Sequence, residues 1–165
     1  MYKAFRHDCA RRKERKVNSN ILAIDPGTTR SGYVLLGEDI EDAGKIRNED
    51  LLEEMQALDL DTLLAVETIG CYGRPVGREV FETCIWVGRF VQAWRGRYVL
   101  VERREVKKRL GMGKAKDGDI RRMMIEIYGP PGGKKTPGPT YGVTGDAWQA
   151  LALAHVARDF HRKKY

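Results

Sequence analysis

Apolar and polar positions change rhythm several times along the chain, and each change marks an element. Residues 21–25, ILAID, form an apolar run that ends on Asp25, and residues 32–37, GYVLLG, form a second beyond the turn PGTTRS. Two β-strands joined by a Pro-Gly/Thr-rich turn follow from that pattern, and 39–46 adds a third, giving an antiparallel opening. Asn48 then stands where an N-cap belongs, ahead of Leu51, Leu52, Met55 and Leu58, whose spacing makes one apolar helical stripe. TLLAVET, 62–68, reads as a short buried strand with Glu67 near its end, as Asp25 is in the first.

The glycine-rich loop IGCYGRPVG leads into a helix whose expected buried side carries Val80, Phe81, Cys84, Ile85, Gly88 and Val91. Residues 98–101 read as another buried strand. Two short helices are expected around GMGKAKDG, the stretch GPPGGKKTPGPTYG is too rich in Pro and Gly for regular structure, and a last helix begins near Thr144 with Ala150, Leu151 and Ala154 on its apolar side. No internal repeat is visible. Hairpin, third strand, helix, strand, helix, strand and helices is an α/β layer order with a mixed sheet between helices.

Length and charge narrow the partners. A chain of 165 residues is long enough for one domain with a sizeable core and short for two. Lys and Arg number 30 against 23 Asp and Glu, a formal net charge of +7, which favours a polyanion such as nucleic acid. The first 20 residues hold seven Lys/Arg and two acids, so 1–19 reads as a basic arm that lies along phosphates or serves as a solubilising tail, and 20–165 as one domain. Residues 103–122 hold nine more Lys/Arg. Arg74 and Arg78, flanking the end of the glycine loop, and Lys108, Lys114, Lys116 and Arg121 in that second cluster are the candidate DNA contacts. The cysteines, Cys9, Cys71 and Cys84, are odd in number and lack paired spacing, so a reducing cytoplasm is expected. No segment has the apolar core of a signal peptide or the length of a membrane span, so no membrane partner is expected.

A carboxylate at the end of a buried strand is costly to desolvate, and a bound divalent cation is the strongest compensation. Asp25, Glu67 and Asp146 each stand beside an apolar run. Singly, each is as well explained as a solvated strand end or a helix cap, with the helix dipole stabilising Asp146. Together they point to a metal site. Hard oxygen donors with no His or Cys cluster indicate Mg²⁺ or Mn²⁺ rather than zinc.

Four motifs in order, IDPGTTRSGY, AVET, VKKRLGMGKAKDGDIRRM and GDAWQALALA, make residues 21–157 resemble the RuvC family of Holliday-junction resolvases, within the ribonuclease H superfamily. The resemblance implies a ribonuclease H-like three-layer α/β fold with a mixed five-stranded sheet, and Asp25, Glu67 and Asp146 as ligands of two Mg²⁺ or Mn²⁺ ions about 3.5–4 Å apart. It further implies a crossover junction endodeoxyribonuclease that acts as a homodimer on four-way DNA junctions and leaves 5′-phosphate and 3′-hydroxyl ends. Phe81, Ile85 and Trp86 are the candidate interface, with core packing as the competing use of that face. Lys107 aligns with a family lysine, and Lys116 lies next to the place of another.

The chain departs from the family at one point. Two acids, or a His and an acid, usually stand three apart on the final helix, whereas Asp146 is followed by Gln149. Gln149 shares a helix face with Asp146, so its carbonyl is a candidate neutral ligand, with Asp119 as the alternative source of charge. Tyr72, five residues beyond Glu67, is the candidate for stacking on unpaired bases. Two other functions compete. A non-catalytic nucleic-acid clamp would keep the basic surface without cleavage. DPGTTRSG also resembles the first phosphate loop of actin-like ATPases and sugar kinases, but those need a second domain and a second phosphate loop that 165 residues do not hold.

Overall fold

The computed structural model describes residues 20–162 except 71, 74 and 115, and side chains as far as 159. The basic arm at 1–19 lies outside the described residues, as do Cys71 and Arg74. The elements run β1 (Ile21–Asp25), β2 (Arg30–Leu36), β3 (Ile40–Arg47), α1 (Asn48–Met55), β4 (Leu63–Thr68), α2 (Arg78–Ala93), β5 (Tyr98–Glu102), α3 (Arg103–Arg109), α4 (Asp117–Tyr128) and α5 (Ala147–Arg162). They build one mixed sheet in the order β3-β2-β1-β4-β5. β1, β2 and β3 pair antiparallel, while β4 lies parallel to both β1 and β5.

Strand alternation divides the core in two. Ile21, Ala23, Val34, Leu36, Leu63 and Ala65 face α3, α4 and α5, whereas Leu22, Ile24, Tyr33, Leu35, Leu64 and Val66 face α1 and α2. The result is three layers. α5 is apolar on nearly every side because it runs across β1, β2 and β4: every residue from 147 to 154 is buried.

Four expectations are corrected by packing. Asn48 is the first residue of α1 rather than its cap; Arg47 holds the capping position. The Asn48 side chain is fully buried and spent on the β1–β2 turn instead, accepting from Ser31 Oγ at 2.7 Å and donating to the Gly27 carbonyl at 2.9 Å. α2 is rotated from the expected face. Thr83, Trp86 and Phe90 are its buried residues, and Phe81 and Ile85 are each 61 % exposed, because the rings of Trp86, Phe90 and the following Trp94 fill the space over Ile24, Leu64 and Val66. β5 is an edge strand whose Tyr98 and Leu100 are half exposed, with Val101 alone buried. Asp146 precedes α5 rather than lying in its first turn, its carbonyl accepting from the Gln149 and Ala150 N–H groups.

The Pro/Gly-rich segment at 129–142 is irregular, and it folds back on itself. A bridge joins Gly132 to Pro137, and the Thr140 hydroxyl donates to the Gly129 carbonyl at 2.8 Å.

Candidate active site

Strand register builds the site. Lys45 on β3 pairs with Gly32 on β2, and Gly32 pairs with Asp25 on β1. Continuing the β1–β4 register one residue past Ile24 and Val66 sets Asp25 beside Glu67, and Glu67 pairs with Val101 on β5. Paired residues point to one side of a sheet, so Lys45, Gly32, Asp25, Glu67 and Val101 form a single row on the α5 face. Gly32 contributes no side chain, and the gap is filled by Asp146. A Cβ at Gly32 would stand 2.7–2.8 Å from the Asp146 backbone and Cβ, so only glycine lets the start of α5 come down onto this row. Lys45 reaches across the gap, its Nζ 2.6 Å from Asp146 Oδ2.

Burial and mutual repulsion act on the carboxylates. Glu67 is 4 % exposed and its pKa is pushed up to about 8, first by desolvation, then by the charge of Asp25, with Arg103 and Lys107 pulling it back. Asp25 is pushed up to about 6, again first by desolvation; Arg103 opposes this and Asp146 adds to it. Arg103 Nη1 donates to Glu67 Oε1 at 3.3 Å. The other oxygen, Glu67 Oε2, is buried with no hydrogen-bond partner among the described residues.

These donors suit a hard divalent cation. Dry carboxylate oxygens with raised pKa values call for positive charge, and Lys45 and Arg103 supply part of it. As the side chains stand, no group of three or more His, Cys, Asp or Glu among the described residues is arranged to hold a metal ion. Asp146 is paired with Lys45 and Glu67 with Arg103.

The remaining candidates divide by place. Lys107 belongs to the site: it lies 3.7 Å from Asp117 Oδ1, and its charge acts on Glu67. Lys116 is the exposed N-cap residue of α4, with its backbone N–H given to Asp119 Oδ2 at 2.9 Å. Asp119 is thereby spent on capping α4 and on Arg122, 3.3 Å away, and Asp117 is the acid of that helix that faces the carboxylates. Gln149 is 6 % exposed and lines a cleft of about 370 Å³ with Asp117, Arg121, Thr144 and Trp148. Arg121 lies over the Trp148 ring, Arg78 pairs with Glu82 at 2.7 Å, and Lys108 and Lys114 are exposed. Tyr72 takes a left-handed backbone, φ 47°, with its ring over Gly70 and its hydroxyl 2.5 Å from Glu102 Oε2.

Sequence reasoning missed Lys45, Arg103 and Asp117. Arg103 carried a usable signal, since it stands just beyond a strand end, as the acids do at theirs. Lys45 carried none without the β2–β3 register.

No protein-family model and no curated protein matches the chain. Solved structures do, two of them of RuvC. Thermus thermophilus RuvC superposes with a TM-score of 0.57 at 18 % identity, over 87 % of this chain and 96 % of that one. T. thermophilus RuvC in complex with a Holliday junction substrate gives 0.61 at 16 % identity, over 88 % and 96 %. The chain therefore has a ribonuclease H-like fold, in the form that RuvC has.

Proposed function

We propose that the chain is a divalent-metal-dependent endonuclease that cleaves four-way DNA junctions or related branched DNA. The observation that carries this reading is the row Asp25–Glu67 with Asp146 laid over Gly32, in which one buried carboxylate oxygen, Glu67 Oε2, has no hydrogen-bond partner among the described residues. The likeness to RuvC, one of whose structures is a complex with a Holliday junction, supports the choice of substrate.

Asp25, Glu67 and Asp146 would hold the ion or ions, with Gln149 as a further candidate ligand. Bound there, Mg²⁺ or Mn²⁺ would activate water and stabilise the leaving 3′ oxygen. The chain's own groups do the rest. Asp25, central in the row, is shared between Glu67 on one side and Asp146 on the other. Lys107 stands beside the acids and offsets the negative charge that grows on the phosphate. The exposed bases on α3 and α4 draw the strand in by its phosphates. Phe81 and Ile85, exposed one helical turn apart on α2, offer an apolar face for a homodimer that would nick two strands symmetrically.

The two ion pairs favour one rival, a clamp that binds branched DNA without cutting it, because Lys45 and Arg103 already neutralise the acids. A gel assay with synthetic four-way junctions, forks and flaps in Mg²⁺, Mn²⁺ or chelator separates them. Nicking in metal alone supports the nuclease. Binding without nicking in either metal leaves the clamp.

A further inference from the structure

Arg103 opens α3 directly after β5, and register places it. Glu67 pairs with Val101, so Arg103 stands one strand repeat beyond Glu67 at the rim of the sheet. Its guanidinium is held at two edges: Nη1 donates to Glu67 Oε1 at 3.3 Å, and Nη2 to Asp117 Oδ1 at 3.1 Å. The two grips differ in kind. The Glu67 side chain is 5 % exposed, the Asp117 side chain 67 %, and Arg103 at 41 % lies on the boundary between them. That boundary is where a strand approaching the carboxylates must bring its phosphate.

The grip on Glu67 is incompatible with a metal ion there, because the ion takes the carboxylate charge and repels the guanidinium. The grip on Asp117 is not, since Asp117 belongs to α4, outside the strand ends that carry Asp25 and Glu67, and its side chain is 67 % exposed. A guanidinium released on one edge and held on the other presents a planar pair of donors, the geometry that suits a phosphate.

Resting on the nuclease reading above, we propose that Arg103 is a catalytic residue. In the metal-free chain it donates to Glu67; when the carboxylates take a divalent cation, it pivots on Asp117 and binds the scissile phosphate. There it remains protonated throughout and stabilises the charge that develops on the non-bridging oxygens.

Three variants and two measurements test this, with Mn²⁺ and a synthetic four-way DNA junction as probes. Arg103→Ala should slow single-turnover nicking at saturating Mn²⁺ and junction by about 10²–10³-fold, the loss typical of one transition-state donor. Calorimetry without DNA should show Mn²⁺ binding that variant more tightly than the parent, since a competing cation is gone; a purely structural arginine would not do this. Arg103→Lys keeps the charge without the fork and should recover part of the rate. Asp117→Asn should slow nicking by loosening the pivot. If the parent nicks and Arg103→Ala nicks equally fast, or if both Arg103 variants bind Mn²⁺ more weakly than the parent, the proposal fails while the nuclease reading stands. A parent that nicks no branched DNA in Mg²⁺ or Mn²⁺ overturns the nuclease reading, and this proposal with it.

Discussion

Gly32 lies directly beneath Asp146: a Cβ added there would stand 2.7 Å from the Asp146 carbonyl carbon and 2.8 Å from its Cβ. The contact is mainly with backbone, so no rotamer relieves it. The docking of α5 and the place of the third carboxylate thus depend on one absent methyl group.

Gly32→Ala should lift the start of α5 and move Asp146 from the row. Overpacking of this kind costs typically about 1–3 kcal/mol. A lower melting temperature with nicking largely abolished is expected. A variant that melts and nicks like the parent would show that α5 does not need this approach.

Replacing a ligand with its neutral isostere removes charge without changing shape. Asp25→Asn, Glu67→Gln and Asp146→Asn should each lower the single-turnover rate by several orders of magnitude. Junction affinity, measured in chelator, should persist or rise as repulsion of phosphates falls. Normal cleavage by Asp146→Asn would mean that its pairing with Lys45 is its only role.

Metal-free stability should fall as pH rises. Glu67 has its pKa raised from 4.5 to about 8, and Asp25 from 3.8 to about 6, so between those limits the folded chain binds more protons than the unfolded one. Stability is therefore greatest below the ordinary values and is lost as pH climbs through the raised ones, with a slope of at most about 1.4 kcal/mol per pH unit for each group. Melting curves in chelator at about pH 5 and about pH 8 should differ less for Glu67→Gln than for the parent. Equal differences would mean that Glu67 titrates near its ordinary value.

Junction binding should weaken steeply with salt. If roughly six phosphates are neutralised, log affinity should fall against log salt with a slope near −5. Deleting residues 1–19 should make the slope shallower and leave the metal requirement of nicking unchanged. An identical slope would assign the phosphate contacts to the folded domain.

The strand ends were legible in the chain because each of ILAID and LLAVE is an apolar run closed by an acid, and burial of such a run carries that acid to the rim of the sheet. Asp146 was legible for a related reason, as an acid set against the start of an apolar helix. The layer order followed from the succession of periods, two for strands and 3.6 for helices. Those are local signals, and local signals stop at the question of partners. Phe81 and Ile85 on α2 form as good an apolar stripe as Trp86 and Phe90, and only the shape of the sheet beneath decided in favour of the larger rings. Residues 98–101 read as buried until the order of strands put them at an edge. Asn48 looked like a cap, but its amide is buried and spent on the carbonyl of a turn 21 residues earlier. Lys45, Gly32, Asp25 and Glu67 meet because three separate strand pairings bring them into one row, and such pairings are set by long-range packing that no short stretch of sequence records. The sequence by itself determined which acids reach the sheet's edge; tertiary structure decided which cations face them, because the register of distant strands and the docking of helices exist only in the folded chain.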